Sequence, residues 1–167
     1  MRYIVFVDFD GVLTSQRVHM AQPNDSYPLW STFDPIAIEW FNKIDRTYHD
    51  VSFVWTTTWR NNLIDSGHIR HIVYSMWYNA GFRGNLGDPW RVNPDNSLPT
   101  DLRAEEIADY LTNWAPECED YLILDDSNYN FNKILPKKRF VQTSPTDGIL
   151  SKHMLDALSI MGKWEKR

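Results

Sequence analysis

At 167 residues, with 43% hydrophobic side chains, the chain can bury one sizeable core, and its net charge of −5 excludes an overall electrostatic trap for nucleic acid while leaving room for a local basic groove. Its one cysteine, Cys118, excludes an internal disulfide and suits a reducing compartment. No apolar run approaches the ~20 residues of a membrane helix, and an acid stands as early as Asp8, so the sequence predicts a soluble cytoplasmic protein without a secretory leader or membrane partner.

Tyr3 to Asp10, YIVFVDFD, is an unbroken apolar run that ends in acids. Such runs fit central strands of a parallel sheet, which are covered on both faces. Residues 11–33 read as an irregular, flap-like loop, with Pro23, Asn24, Asp25 and Pro28 as turn signals. Asp34-Pro35 then reads as an N-cap followed by proline at the first helical position. Ile36, Ala37, Trp40, Phe41 and Ile44 give that helix one apolar stripe. VSFVW, from Val51 to Trp55, is a second buried strand that runs into TTTWR.

Ile69, Ile72, Val73, Met76 and Trp77 mark another helix, stopped near Gly81. Residues 82–99 carry three prolines and two glycines and read as loop, so 61–99 together suit a small lid. Thr100 can cap a helix with Ala104, Ile107, Ala108 and Leu111 on one face. YLILDDS, from Tyr121 to Ser127, is a third buried strand, again ending in acids, and RFVQT from Arg139 is a short fourth. Leu150, Met154, Leu155, Leu158 and Met161 line a final helix. Strands alternating with helices over 1–167 predict one α/β domain, a Rossmann-like parallel sheet flanked by helices.

Three chemical features share one address. Asp8 and Asp10, then Thr56 to Thr58, then Asp125 and Asp126, all stand at carboxyl ends of predicted strands, the edge where open parallel sheets bind ligands. Carboxylates gathered there repel one another unless they are protonated or bridged by a cation, and hard oxygen donors favour Mg²⁺. A cation also lets a carboxylate approach a phosphate dianion. One acid can then attack phosphorus while a second, two residues on, protonates the leaving oxygen and later activates water. Threonine hydroxyls or a backbone N–H can hold the phosphoryl oxygens.

DFDGVLT resembles the first motif of the haloacid dehalogenase (HAD) superfamily of phosphatases, VWTTTWR its second and LILDDS its fourth. Arg103, on TDLRAEEIADYL, is the best match to the third, which is more often lysine. A closer resemblance, covering nearly the whole chain, is to the phosphatase-like domain of multidomain RNA-repair proteins and of stand-alone bacterial and phage proteins. It adds Thr57 to Arg60, Arg103 to Leu111, and TSPTDGIL from Thr143. The phosphatase half of phage polynucleotide kinase-phosphatases is similar at a greater distance.

The resemblance implies roles. Asp8 is the nucleophile, and Asp10 is the general acid/base that also offers a backbone carbonyl to Mg²⁺. Asp125, with Asp126 nearby, holds the metal together with Asp8, and Arg103 stabilises nucleophile and phosphate. Thr56 or Thr57 binds the phosphoryl group, with Thr57 favoured by the WATTW pattern of related chains. Gly11, Thr58 and Arg60 line the substrate.

The superfamily's caps are inserted where this chain is short, so the fold is expected to have no cap or a minimal one. An open site suits a nucleotide or a nucleic-acid end, and Tyr27, Trp30, Trp59, Trp77, Tyr78 and Trp90 offer faces for a base. Arg83 and Arg91 are weaker substrate candidates. His68 and His71 lack a catalytic Glu for a metal role, Lys137, Lys138 and Arg139 read as a solvated loop, and Glu105-Glu106 as an outer helix face. The expected activity is a Mg²⁺-dependent phosphomonoesterase. A two-metal nuclease, a small-metabolite phosphatase and a non-catalytic phosphoryl-binding module are the alternatives.

Overall fold

The computed structural model describes residues 1–21, 33–58, 75–99 and 102–167. Strands β1 (Tyr3–Val7), β2 (Val51–Trp55), β3 (Leu86–Arg91), β4 (Asp120–Asp125) and β5 (Phe140–Gln142) form one sheet in the order β3-β2-β1-β4-β5. Every pairing is parallel, as the apolar runs predict. Helices α1 (Gln16–Ala21), α2 (Pro35–Thr47), α3 (Arg103–Asp109), α4 (Phe131–Ile134) and α5 (Ser151–Ile160) accompany it, and α3 widens into a π-helical turn over Tyr110–Trp114. This is the α/β, Rossmann-like architecture expected from the sequence. No helix among the described residues is long and apolar enough to cross a membrane.

Register decides which side chains share a face. Val7 of β1 lies beside Trp55 of β2 and Leu124 of β4. One face therefore carries Val5, Val7, Phe53, Trp55, Leu122 and Leu124, packed on Phe41 of α2 and Met154 of α5. The other carries Ile4, Phe6, Val54, Tyr121 and Ile123 against Ala104 and Ile107 of α3 and Phe131 of α4. Much of the aromatic content fills the first face. Trp77 stacks on Trp55 with centroids 5.0 Å apart and meets Phe82 edge-on at 4.4 Å.

Asp34 caps α2 as expected, its Oδ1 accepting from the Ile36 N–H at 2.9 Å, while Arg17 pairs with its other oxygen. Gly81 has φ +99 and follows helical residues 75–79.

Several expectations need correction. Residues 16–21 are helical rather than irregular, with the Ser15 hydroxyl accepting from the Val18 N–H at 3.4 Å. The stretch read as loop contains β3, an edge strand, so that part of the expected lid belongs to the sheet. The stripes are imperfect: Ile36 is 52% and Leu155 68% exposed, because each helix presents only about a third of its circumference to the sheet. The Lys137–Arg139 segment is not merely solvated, since Lys137 and Arg139 bind Asp120. Glu106 is buried and accepts from Asn93 Nδ2 at 3.2 Å, so it is no outer face. Thr100, Ile69, Ile72, Val73, His68 and His71 lie outside the described residues, and α3 begins at Arg103.

Candidate active site

One residue beyond the paired ends of β1 and β2, the same register continues. The Asp8 N–H donates to Leu124 O at 3.0 Å and the Thr56 N–H to Val7 O at 2.9 Å. Asp8, Thr56 and Asp125 thus form a row across three neighbouring strands. They point to the face occupied by α3, because they continue the alternation of Phe6, Val54 and Ile123. Asp8 is 7% exposed and Asp125 and Thr56 are wholly buried.

The first residue of α3 enters this row. Arg103 is 2% exposed, and its Nη1 donates to Asp125 Oδ2 at 2.8 Å and to Thr56 Oγ1 at 3.2 Å, with Asp8 Oδ2 at 3.5 Å. All three of these contacts run through Nη1.

Asp8, Asp125 and Asp126 each place a carboxylate oxygen within 4.8 Å of the others. The Phe9 N–H donates to Asp8 Oδ1 at 2.8 Å, and the Ser127 N–H to Asp125 Oδ1 at 2.9 Å. Burial pushes the Asp8 carboxyl above its usual range, against the pull of Arg103. Burial, reinforced by the Asp8 charge and opposed by Arg103, pushes Asp125 up to about 7. Among the described residues, one guanidinium meets Asp8 and Asp125 with Asp126 adjacent, which leaves the three acids a surplus of negative charge, and hard oxygen donors at this spacing can hold a divalent cation that removes it.

The remaining expected residues fall around this centre. Asp10 is exposed and outside the trio, its Oδ1 accepting from Thr14 Oγ1 at 3.1 Å. Gly11 has φ +69, and a Cβ there would stand 2.4 Å from Asp126 Cβ, so only glycine lets motif I turn this close to the acids. Thr57 is buried beside Thr56 and Thr58 is exposed. Thr56 is the threonine whose hydroxyl accepts from Arg103. Arg60, Trp59, Tyr27 and Trp30 lie outside the described residues.

Trp77 is core rather than a stacking platform, and Trp90 lies edge-on to Trp55 at 5.4 Å. Tyr78 is half exposed but covered by the Arg83 guanidinium at 4.1 Å, whose Nη1 also donates to Tyr78 O and Phe82 O at 2.7 Å. Arg91 donates to Asn96 Oδ1 and Pro94 O. Those two arginines are engaged locally. Sequence reasoning missed two contributors: Thr14, which holds Asp10, and Tyr129, whose ring lies 5.0 Å from Arg103 Cζ. The signal for Thr14 was its place at the end of motif I.

Searches among curated proteins and among solved structures each found no match. A family described as "HAD domain in Swiss Army Knife RNA repair proteins" matches residues 4–154 of the 167. That match takes in β1 with its acids, the threonines after β2, Arg103 and the acids of β4, in the order in which the fold brings them together. On that match the chain belongs to the family of HAD domains found in Swiss Army Knife RNA repair proteins.

Proposed function

We propose that this domain is a Mg²⁺-dependent phosphomonoesterase that works through an aspartyl-phosphate on Asp8 and removes phosphate from a nucleotide or nucleic-acid end. The family supports a HAD-type phosphatase in general. The observation that carries the finer reading is the buried row of Asp8, Thr56 and Asp125 gripped by Arg103 and backed by Asp126. A structural ion pair needs one acid for one base, whereas among the described residues this cluster has three acids to one arginine, at a sheet edge where ligands bind.

The steps follow from the side chains. An Asp8 carboxylate oxygen attacks phosphorus and the bond to the leaving oxygen breaks. Protonated Asp10 gives its proton to that oxygen. Its exposed position, steadied by Thr14, suits a leaving group that departs to solvent. Asp10, now a carboxylate, takes a proton from water. The resulting hydroxide attacks phosphorus and breaks the Asp8–phosphate bond, which restores both carboxyls and frees inorganic phosphate. Arg103 and the hydroxyl of Thr56 or Thr57 bind the phosphoryl oxygens. Asp8, Asp125 and Asp126, with the Asp10 carbonyl, would hold Mg²⁺, which supplies charge neutralisation for an anionic nucleophile meeting an anionic phosphate. RNA repair in the family's description supports a nucleic-acid end as substrate.

The test is hydrolysis of p-nitrophenyl phosphate with Mg²⁺ by the wild type, Asp8→Asn and Asp10→Asn. It continues with a panel of 3′- and 5′-phosphorylated oligonucleotides, mononucleotides and sugar phosphates. The expected result is Mg²⁺-dependent phosphate release that both substitutions abolish, with phosphorylated ends preferred. Equal rates in all three proteins, or cleavage within an oligonucleotide without free phosphate, would refute it.

A further inference from the structure

Among the described residues, every oxygen contact of Arg103 runs through one nitrogen, Nη1, which reaches Asp125, Thr56 and Asp8. Its Nε is buried and has no hydrogen-bond acceptor among the described residues. A guanidinium held at one corner can tip about that corner, and tipping would carry Nη1 out of the row. Something else must fix its plane.

The ring of Tyr129 lies against it, 5.0 Å from Cζ. Tyr129 is itself braced. Its ring meets Phe131 edge-on at 5.8 Å, and Phe131 packs on Phe140 of β5 at 4.8 Å. The loop that delivers it is short, four residues past Asp125, and is pinned where the Asn130 N–H donates to Asn128 Oδ1 at 3.0 Å with Asn130 at φ +60. An aromatic face attracts a cation most where water is excluded, and Arg103 is 2% exposed.

We propose that Tyr129 is a positioning residue that holds the plane of Arg103, so that Nη1 stays lodged among Asp8, Asp125 and Thr56, and that this ring is why the position carries arginine rather than lysine. An ammonium has no plane to stack and no second corner to anchor. The kinetic consequence rests on the phosphatase reading above, and the structural one does not.

The experiment is a double-mutant cycle with p-nitrophenyl phosphate and Mg²⁺, using Tyr129→Leu, Tyr129→Phe, Arg103→Lys and the Tyr129→Leu/Arg103→Lys pair, joined to a crystal structure of Tyr129→Leu. Tyr129→Leu should lower kcat about 10-fold with KM moving less, and Tyr129→Phe, which keeps the ring, should restore most of it. Arg103→Lys should lower kcat strongly in the wild type and much less when Tyr129 is already Leu. In the crystal, Arg103 of Tyr129→Leu should leave the 2.8 Å contact with Asp125. Additive penalties, an unchanged kcat in Tyr129→Leu, or an Arg103 that keeps its place without the ring would overturn the proposal. A wild type without Mg²⁺-dependent turnover, combined with a displaced Arg103 in the Tyr129→Leu crystal, would support the positioning role and sink the phosphatase reading alone.

Discussion

Strand β4 has an aspartate at each end, and the two live in opposite electrostatic worlds. At its start, Asp120 accepts from Arg139 Nε at 2.9 Å and Trp164 Nε1 at 3.2 Å, with Lys137 Nζ at 3.3 Å. Burial pushes Asp120 up, but the bonds from Arg139 and Trp164 and the charge of Lys137 outweigh it, and its pKa falls below the usual carboxylate range. At its end, Asp125 shares Arg103 with Asp8, with Asp126 adjacent, and is pushed up to about 7. The first acid has two cations and is satisfied. The second lies in a group of three acids that has, among the described residues, one arginine against it. Same strand, same residue type, five positions apart: the difference is that one end stabilises the fold and the other stores a demand for positive charge that a ligand can meet.

The widest gap between the ends should appear in turnover. Asp125→Asn is expected to lower kcat/KM by about 10²–10⁴-fold, whereas Asp120→Asn should stay within about twofold of wild type. Comparable losses in both variants would erase the distinction.

Stability against pH should separate them next. Because the folded-state pKa of Asp125 is raised, its contribution favours the folded protein fully below the unfolded value near 4 and is lost as pH rises toward about 7. Metal-free Asp125→Asn should therefore be more stable than wild type at pH 8 by on the order of a few kcal/mol, with the gap narrowing at pH 5 and closing below about pH 4. Mg²⁺ should raise the melting temperature of wild type and not of the variant. Asp120 carries the reverse sign. Its lowered pKa stabilises the fold above about pH 4 and fails as pH drops through the folded value. Asp120→Asn should cost about 2–3 kcal/mol at pH 7, or a fall in Tm of about 5–10 °C, and the cost should shrink at low pH. Thermal melts at pH 3, 5, 7 and 8, with and without Mg²⁺, check all of these.

A smaller effect sharpens the picture at the crowded end. Gly11→Ala places a methyl against Asp126 at a backbone angle that L residues resist, and should cost about 1–3 kcal/mol while weakening the Mg²⁺-induced shift in melting temperature. An alanine variant with unaltered Tm and metal response would show that Gly11 is not needed for the close approach to Asp126.

Much of the crowded end was readable in the sequence because its parts are local. Apolar runs stopping at Asp8 and Asp125 announce central strands and their edge at once, and Gly11 marks the turn. The satisfied end was not readable. Arg139 and Trp164 are separated from Asp120 by 19 and 44 positions, and no periodicity ties the three together. Strand β3 escaped for a different reason: LGDPWR has a glycine, a proline and no alternation, and only its edge position makes that tolerable. Helix α1 was hidden by its brevity, six residues among turn formers. Glu106 looked like an outer helix residue beside Glu105, and its partner Asn93, 13 positions away, carries no spacing signal. Tyr129 was invisible because a cation–ring contact leaves no spacing signature.

The measurement that bears most directly on the central claim is a crystal structure of the protein with Mg²⁺ and beryllium fluoride, which mimics a phosphoryl group on a carboxylate. The fluoride adduct is expected bonded to an Asp8 carboxylate oxygen, with Arg103 beside it and the cation among Asp8, Asp125 and Asp126. An adduct on another residue, or a bare Asp8 at saturating ligand, would contradict it.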